Sequence, residues 1–81
     1  MSTQLLDILA VEVKPGHKLL LTFETGEQRI FSMSTLLTQP PFNRLQDPHL
    51  FKLARIDYGT VVWPGTIDIA PETLYDLSHP C

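Results

Sequence analysis

Two runs of alternating apolar residues, set on either side of a Pro-Gly pair, place the tightest limit on how this chain folds. Leu9, Val11 and Val13 alternate with Ala10, Glu12 and Lys14, the period-two pattern of a half-buried strand, so a first strand is expected over Leu5 to Lys14. Pro15-Gly16 joins a fixed φ to a residue that accepts positive φ, which turns the chain through a loop of about four residues. Leu19, Leu21 and Phe23 then alternate with Leu20, Thr22 and Glu24 in a second strand. At Thr25-Gly26 threonine would strain at positive φ and glycine would not, which favours a loop of about three to five residues with Gly26 left-handed. A two-residue primed turn would also set Glu24 opposite Glu27. A third strand covers Arg29-Ile30-Phe31.

The period changes at Ser32. Met33, Leu36 and Leu37 fall at helical spacing, and Ser32 stands where an N-cap hydroxyl can satisfy an orphan amide. Pro40-Pro41 pushes Gln39 out of the α region, which limits this helix to two turns at most. Phe42 and Leu45 anchor a second helical turn, and Asp47-Pro48 repeats the pairing of a capping residue with a proline at the first helical position, starting a third turn over His49-Leu50-Phe51. Leu53 to Asp57 and Thr60 to Trp63 flank Tyr58-Gly59 as a second hairpin, rich in β-branched residues and closed by Pro64. After Gly65 and Ile67-Asp68-Ile69-Ala70, Pro71 suits the first position of a final helix, with Glu72 near its positive end and Pro71, Leu74 and Leu77 on one face.

Hairpins with helices between and after them predict an α+β fold in two layers: an antiparallel sheet of about five strands, short middle helices and a C-terminal helix. At 81 residues, 43% of them hydrophobic, the chain builds one core, so a single domain is expected over 1–81, its core about 5–78 and 79–81 a frayed tail. Unbroken apolar stretches run only a few residues, and the N-terminus lacks a signal-peptide pattern, which predicts a cytoplasmic protein. The only cysteine, Cys81, rules out an internal disulfide. Six basic residues are scattered and outnumbered by nine acids, so direct nucleic-acid binding is not expected.

Catalytic patterns are equally sparse. Asp68 and Glu72 lie four apart, but Asp68 precedes the proline that starts the helix, so they need not share a face. Asp68 is expected to accept backbone N–H bonds near Gly65 or at the helix start, supplying capping that Ala70 cannot. His17, His49 and His79 show no metal-ligand spacing, Ser32 and Ser34 sit where hydroxyls cap amides, and four isolated glycines make no phosphate cradle. No catalytic residue, metal or cofactor is therefore expected.

The second half carries a longer pattern: Leu50-Phe51, Ile56-Asp57, Val61-Val62-Trp63-Pro64-Gly65 and Ile67-Asp68-Ile69-Ala70-Pro71-Glu72-Thr73-Leu74-Tyr75. Together with Phe23-Glu24-Thr25-Gly26-Glu27 and the helix start from Phe31 to Leu37, it resembles the small bacterial domain-of-unknown-function family numbered twenty-four forty-two, over about residues 8 to 77. Gly26, Trp63, Pro64, Gly65, Asp68, Pro71, Leu74 and Tyr75 are its structural marks in this chain. The resemblance implies a strand meander with a C-terminal helix, occurring alone, fused to a helix-turn-helix domain or encoded beside small proteins of toxin-antitoxin type. It assigns no catalytic residues.

Trp63 and Tyr75 are expected to pack the sheet against the final helix with their polar tips hydrogen-bonded to backbone. The alternative sets Tyr58, Trp63 and Tyr75, with Arg29 and Arg55, on a partner surface. The function expected is a small protein-binding or regulatory module, an antitoxin-like member of a two-protein pair, acting on a protein encoded nearby and able to form a homodimer through a sheet edge or helix face. The alternative is a regulator associated with a small ligand or nucleic acid, its site in a groove between the sheet and the middle segment, lined by Arg29, Lys52 and Arg55.

Overall fold

The fold, seen in a computed structural model that describes residues 7–80, is α+β, with strands in the order β1 (Ile8–Lys14), β2 (Lys18–Phe23), β3 (Gln28–Ser32), β4 (Arg55–Asp57), β5 (Thr60–Trp63), β6 (Ile67–Ile69) and β7 (His79–Pro80). They form two antiparallel sheets and not one: β1-β2-β3-β7 and β4-β5-β6. Between the sheets runs the proline-punctuated segment, with 3-10 turns at Met33–Thr35 and Phe42–Gln46 and a short helix α1 (Pro48–Phe51). The longer helix α2 (Pro71–Leu77) precedes β7. Leu5, Leu6 and Cys81 lie outside the described residues.

Local chemistry explains most boundaries. Leu19, Leu21 and Phe23 are all fully buried, as their alternation requires. Gly26 takes φ +91°, and Phe23 donates to the Glu27 carbonyl while Gly26 donates to Phe23, closing a loop of the expected length. The Ser32 hydroxyl accepts from the Ser34 amide and the Asp47 carboxylate from the His49 amide, so both predicted caps are in place, with Pro48 at the start of α1.

The first strand departs from simple alternation. Ile8 pairs with Phe23 and Ala10 with Thr22, so Leu9 is the extra residue of a β-bulge. The bulge reverses parity at that point: Ile8 enters the core and Leu9 is 63% exposed, whereas Val11 and Val13 keep their inward side. Ile8 donates its amide to the Gly59 carbonyl, which joins the two sheets at one corner. Residues from both sheets, Met33, Leu45, Phe51 and Leu74 close a single buried cluster.

The C-terminal part differs in three ways. His79 pairs with Ile30 and Pro80 with Arg29, so these two residues are an added strand and not a frayed end. Leu74 is fully buried under α2, but Leu77 is 48% exposed, because a two-turn helix ending at Ser78 carries only its middle over the core. Asp68 lies exposed in the middle of β6, opposite Val62, with no hydrogen bond to the Gly65 turn or the α2 start among the described residues. Alternation in β6 sends Ile67 and Ile69 inward and therefore sends Asp68 out to solvent.

Candidate protein-binding face

The three-stranded sheet has one buried face and one open face. Val61, Trp63, Ile67 and Ile69 point into the core, and by strand parity their neighbours point outward. Register aligns Arg55 with Val62 and Val62 with Asp68, so a cation, an apolar residue and an anion form one row across the three strands. A shallow groove of about 360 Å³ follows this row, bounded by Asp57 and Tyr58 at one side and the Pro64–Thr66 turn at another. Arg55, Asp57 and Asp68 make no ion pair with one another among the described residues.

Tyr58 stands out in this face. Asp57 and Thr60 are cross-strand partners, which leaves Tyr58-Gly59 as a two-residue hairpin turn with both residues at positive φ, 53° and 74°. That turn favours Asn-Gly or Asp-Gly, because a bulky side chain at positive φ is strained. Yet the ring is 93% exposed and so gains almost nothing from packing. A strained position that holds an aromatic ring out to solvent is the kind of local cost that function sustains.

The other predicted site residues lie elsewhere. Trp63 is 2% exposed, donates from Nε1 to the Phe51 carbonyl at 2.9 Å and stacks on the Phe51 ring at 6.0 Å, so it is a core residue and not a surface anchor. Its polar tip reaches backbone, as expected, at the end of α1. Arg29 and Tyr75 face each other between β3 and α2, the guanidinium lying 4.2 Å from the phenol centroid. Arg29 donates to the Ser78 hydroxyl, the Ser78 carbonyl and the Glu27 carboxylate, and Tyr75 donates to the other Glu27 oxygen at 3.0 Å. The Tyr75 ring also meets Phe23 edge-on at 5.3 Å, so this residue does pack the final helix on the sheet, with its hydroxyl on a carboxylate and not on backbone. Arg29 and Tyr75 are thus a latch for α2, and the three basic residues are placed apart: Arg29 on Ser78, Lys52 beside the β1-β2 turn and Arg55 on the open face of the three-stranded sheet. Glu27 and Ser78 were not evident from sequence, since the contacts that tie β3 to α2, Tyr75 to Glu27 and Arg29 to Ser78, span 48 and 49 residues.

The latch has a pH dependence with a definite sign. The hydrogen bond from Arg29, then that from Tyr75, holds the Glu27 carboxyl below its ordinary value, and the same Glu27 contact raises the Tyr75 phenol. Glu27 therefore contributes stability in full above 4.5 and loses it as pH falls through the lowered folded value, while Tyr75 contributes in full below 10.0 and loses it as pH rises through its raised value. Thermal melts of the wild type and Glu27→Gln between about pH 3 and 7 are expected to converge on acidification. A gap between them that stays constant would show that the charge on Glu27 does not support the latch.

Comparison with known proteins places the chain in a family. One family model, Protein of unknown function (DUF2442), matches residues 8–80. The chain belongs to the DUF2442 family. No curated protein and no solved structure matches it. The DUF2442 match takes in both sheets, the middle segment and α2, and therefore every residue of the open face. Among the described residues, this DUF2442 chain has no helix long and apolar enough to cross a membrane and no group of three or more His, Cys, Asp or Glu placed to hold a metal.

Proposed function

We propose that this chain is a non-enzymatic protein-binding module, the regulatory member of a two-protein pair in the manner of an antitoxin, and that it acts by seating the open face of the β4-β5-β6 sheet on its partner. The observation that carries this reading is Tyr58, an aromatic ring held at positive φ and 93% exposed, on the same groove as Arg55, which makes no ion pair among the described residues. Tyrosine and arginine are the side chains most often found as anchors of protein interfaces, and Val62 supplies an apolar centre between charges that remain free to pair across the contact. The groove is open and shallow, which suits a protein surface better than it suits enclosing a reacting substrate.

Tyr58→Asn is the decisive variant, because asparagine suits the turn and removes the ring. Its melting temperature is expected to equal or exceed that of the wild type. In a tagged pull-down from native extract at low and moderate salt, the wild type should retain a stoichiometric, salt-resistant partner that Tyr58→Asn and Arg55→Glu lose. Retention of the same partner by both variants would remove this face from the interaction.

A further inference from the structure

We infer that the open face of the β4-β5-β6 sheet pairs with the same face of a second copy of this chain, about a two-fold axis running along β5. Its ground is the order of charge across the sheet. Arg55 on β4, Val62 on β5 and Asp68 on β6 stand in one row, and Arg55 and Asp68 are both exposed with no ion pair among the described residues. Within one chain the two charges sit two strand spacings apart, about 10 Å, with Val62 between them.

A two-fold interface sets one patch against itself, so the patch fits only where the rotation carries each group onto its complement. Rotation about β5 exchanges the two flanks of the sheet. It lays Arg55 over Asp68 of the second copy, Asp68 over Arg55 of the second copy and Val62 against its own counterpart, giving two ion pairs around an apolar centre. Aligned sheet packing, with strand directions within about 30° of each other, preserves that match. An axis along the row would instead lay Arg55 over Arg55 and Asp68 over Asp68, which like-charge repulsion disfavours. Side-chain length agrees with the first arrangement: stacked sheets lie about 10 Å apart, a gap that a long arginine and a short aspartate bridge together and two aspartates leave open.

The surrounding residues are consistent with this axis. Asp57 lies on the same side of β4 as Arg55, and the rotation carries it past Ile69 to the end of β6, not over Asp68. Both Tyr58 rings come to one end of the interface, on either side of the axis, which gives these exposed aromatics a surface to cover. Three strands of three or four residues cover less than the roughly 800 Å² per partner of a standard interface, so a dimer Kd of about 10–100 µM is expected. A dimer this weak keeps the face covered until a tighter-binding protein replaces the second copy, a last step that rests on the protein-binding reading above.

The test is sedimentation of the full chain from about 5 to 500 µM, in moderate salt that screens the net charge of −3 on each copy while leaving close pairs in place. The wild type is expected to pass from monomer to dimer across this range. Arg55→Asp and Asp68→Arg should each weaken the dimer by at least about ten-fold, because each sets two like-charge contacts across the axis. An equimolar mixture of these two variants should form a heterodimer, since both contacts are then of opposite charge, and the double variant R55D/D68R should recover the wild-type Kd within about three-fold. A wild type that stays monomeric throughout, single variants that dimerise as the wild type does, or a double variant and a mixture that both remain monomeric would each overturn the inference. Capture of a different protein is scored separately by the pull-down: a monomeric wild type overturns the dimer alone, and a charge-dependent dimer that retains no other protein supports the dimer and counts against the partner.

Discussion

Trp63→Ala is expected to destabilise the domain by about 3–5 kcal/mol, the range for removing a large buried aromatic side chain. Total stability at 81 residues is on the order of 4–12 kcal/mol, so this single change takes most of it at the low end of that range. Two effects add. The indole is 2% exposed and its removal opens a cavity against Phe51, while loss of Nε1 takes from the Phe51 carbonyl the shorter of its two hydrogen bonds, the other coming from the Ala54 amide. Chemical denaturation should separate the two contributions. Trp63→Phe retains most of the packing and loses the hydrogen bond, so it should fall between the wild type and the alanine variant. A melting temperature within a degree or two of the wild type for Trp63→Ala would contradict the core position of this residue.

Arg29→Ala is the second large effect, expected at about 2–3 kcal/mol. The Arg29 side chain is 12% exposed and makes two hydrogen bonds to Ser78, at 2.6 Å and 2.8 Å, in addition to its contacts with Glu27 and Tyr75. Without it the Ser78 carbonyl at the end of α2 loses its partner, and the short β7 pairing loses the residue that positions it. Arg29→Lys should recover little, since an ammonium cannot reach the two Ser78 acceptors and Glu27 from one position while lying flat on a phenol ring. Hydrogen exchange gives the local readout: amides of α2 and of His79 should lose protection in Arg29→Ala while those of β4-β5-β6 change only with global stability. Equal loss across both sheets with no preference for α2 would show that Arg29 is not a latch.

These two residues also show how far reading the chain could go. Trp63 was legible as core only as a large aromatic side chain that packs a sheet while its N–H finds backbone, since Val61-Val62-Trp63 is apolar throughout and does not tell which side each residue faces. The Gly26 loop, the Ser32 and Asp47 caps and the Tyr58-Gly59 turn were legible because each is a contest between backbone groups a few residues apart. Arg29 was legible only as sharing a strand face with Phe31. Its partners Ser78 and Tyr75 are distant in sequence, and nothing local distinguishes an arginine under a helix from one in solvent.

The candidate face divides in the same way. Arg55 and Tyr58 could be named from composition and turn chemistry, but Val62 and Asp68 join them only through the β5-β6 register, and β6 has just three residues on which to show a period.

By itself the sequence determined the fold class, the hairpins, the caps and the proline-bounded middle segment, all of which follow from propensities acting within about ten residues. Tertiary structure alone decided that the strands divide into two sheets, that a bulge turns Leu9 outward, that His79–Pro80 adds a strand and that Arg29 closes over α2. Those outcomes depend on which distant surfaces fit together once apolar side chains are buried, and hydrophobic burial carries no direction that a local pattern can record.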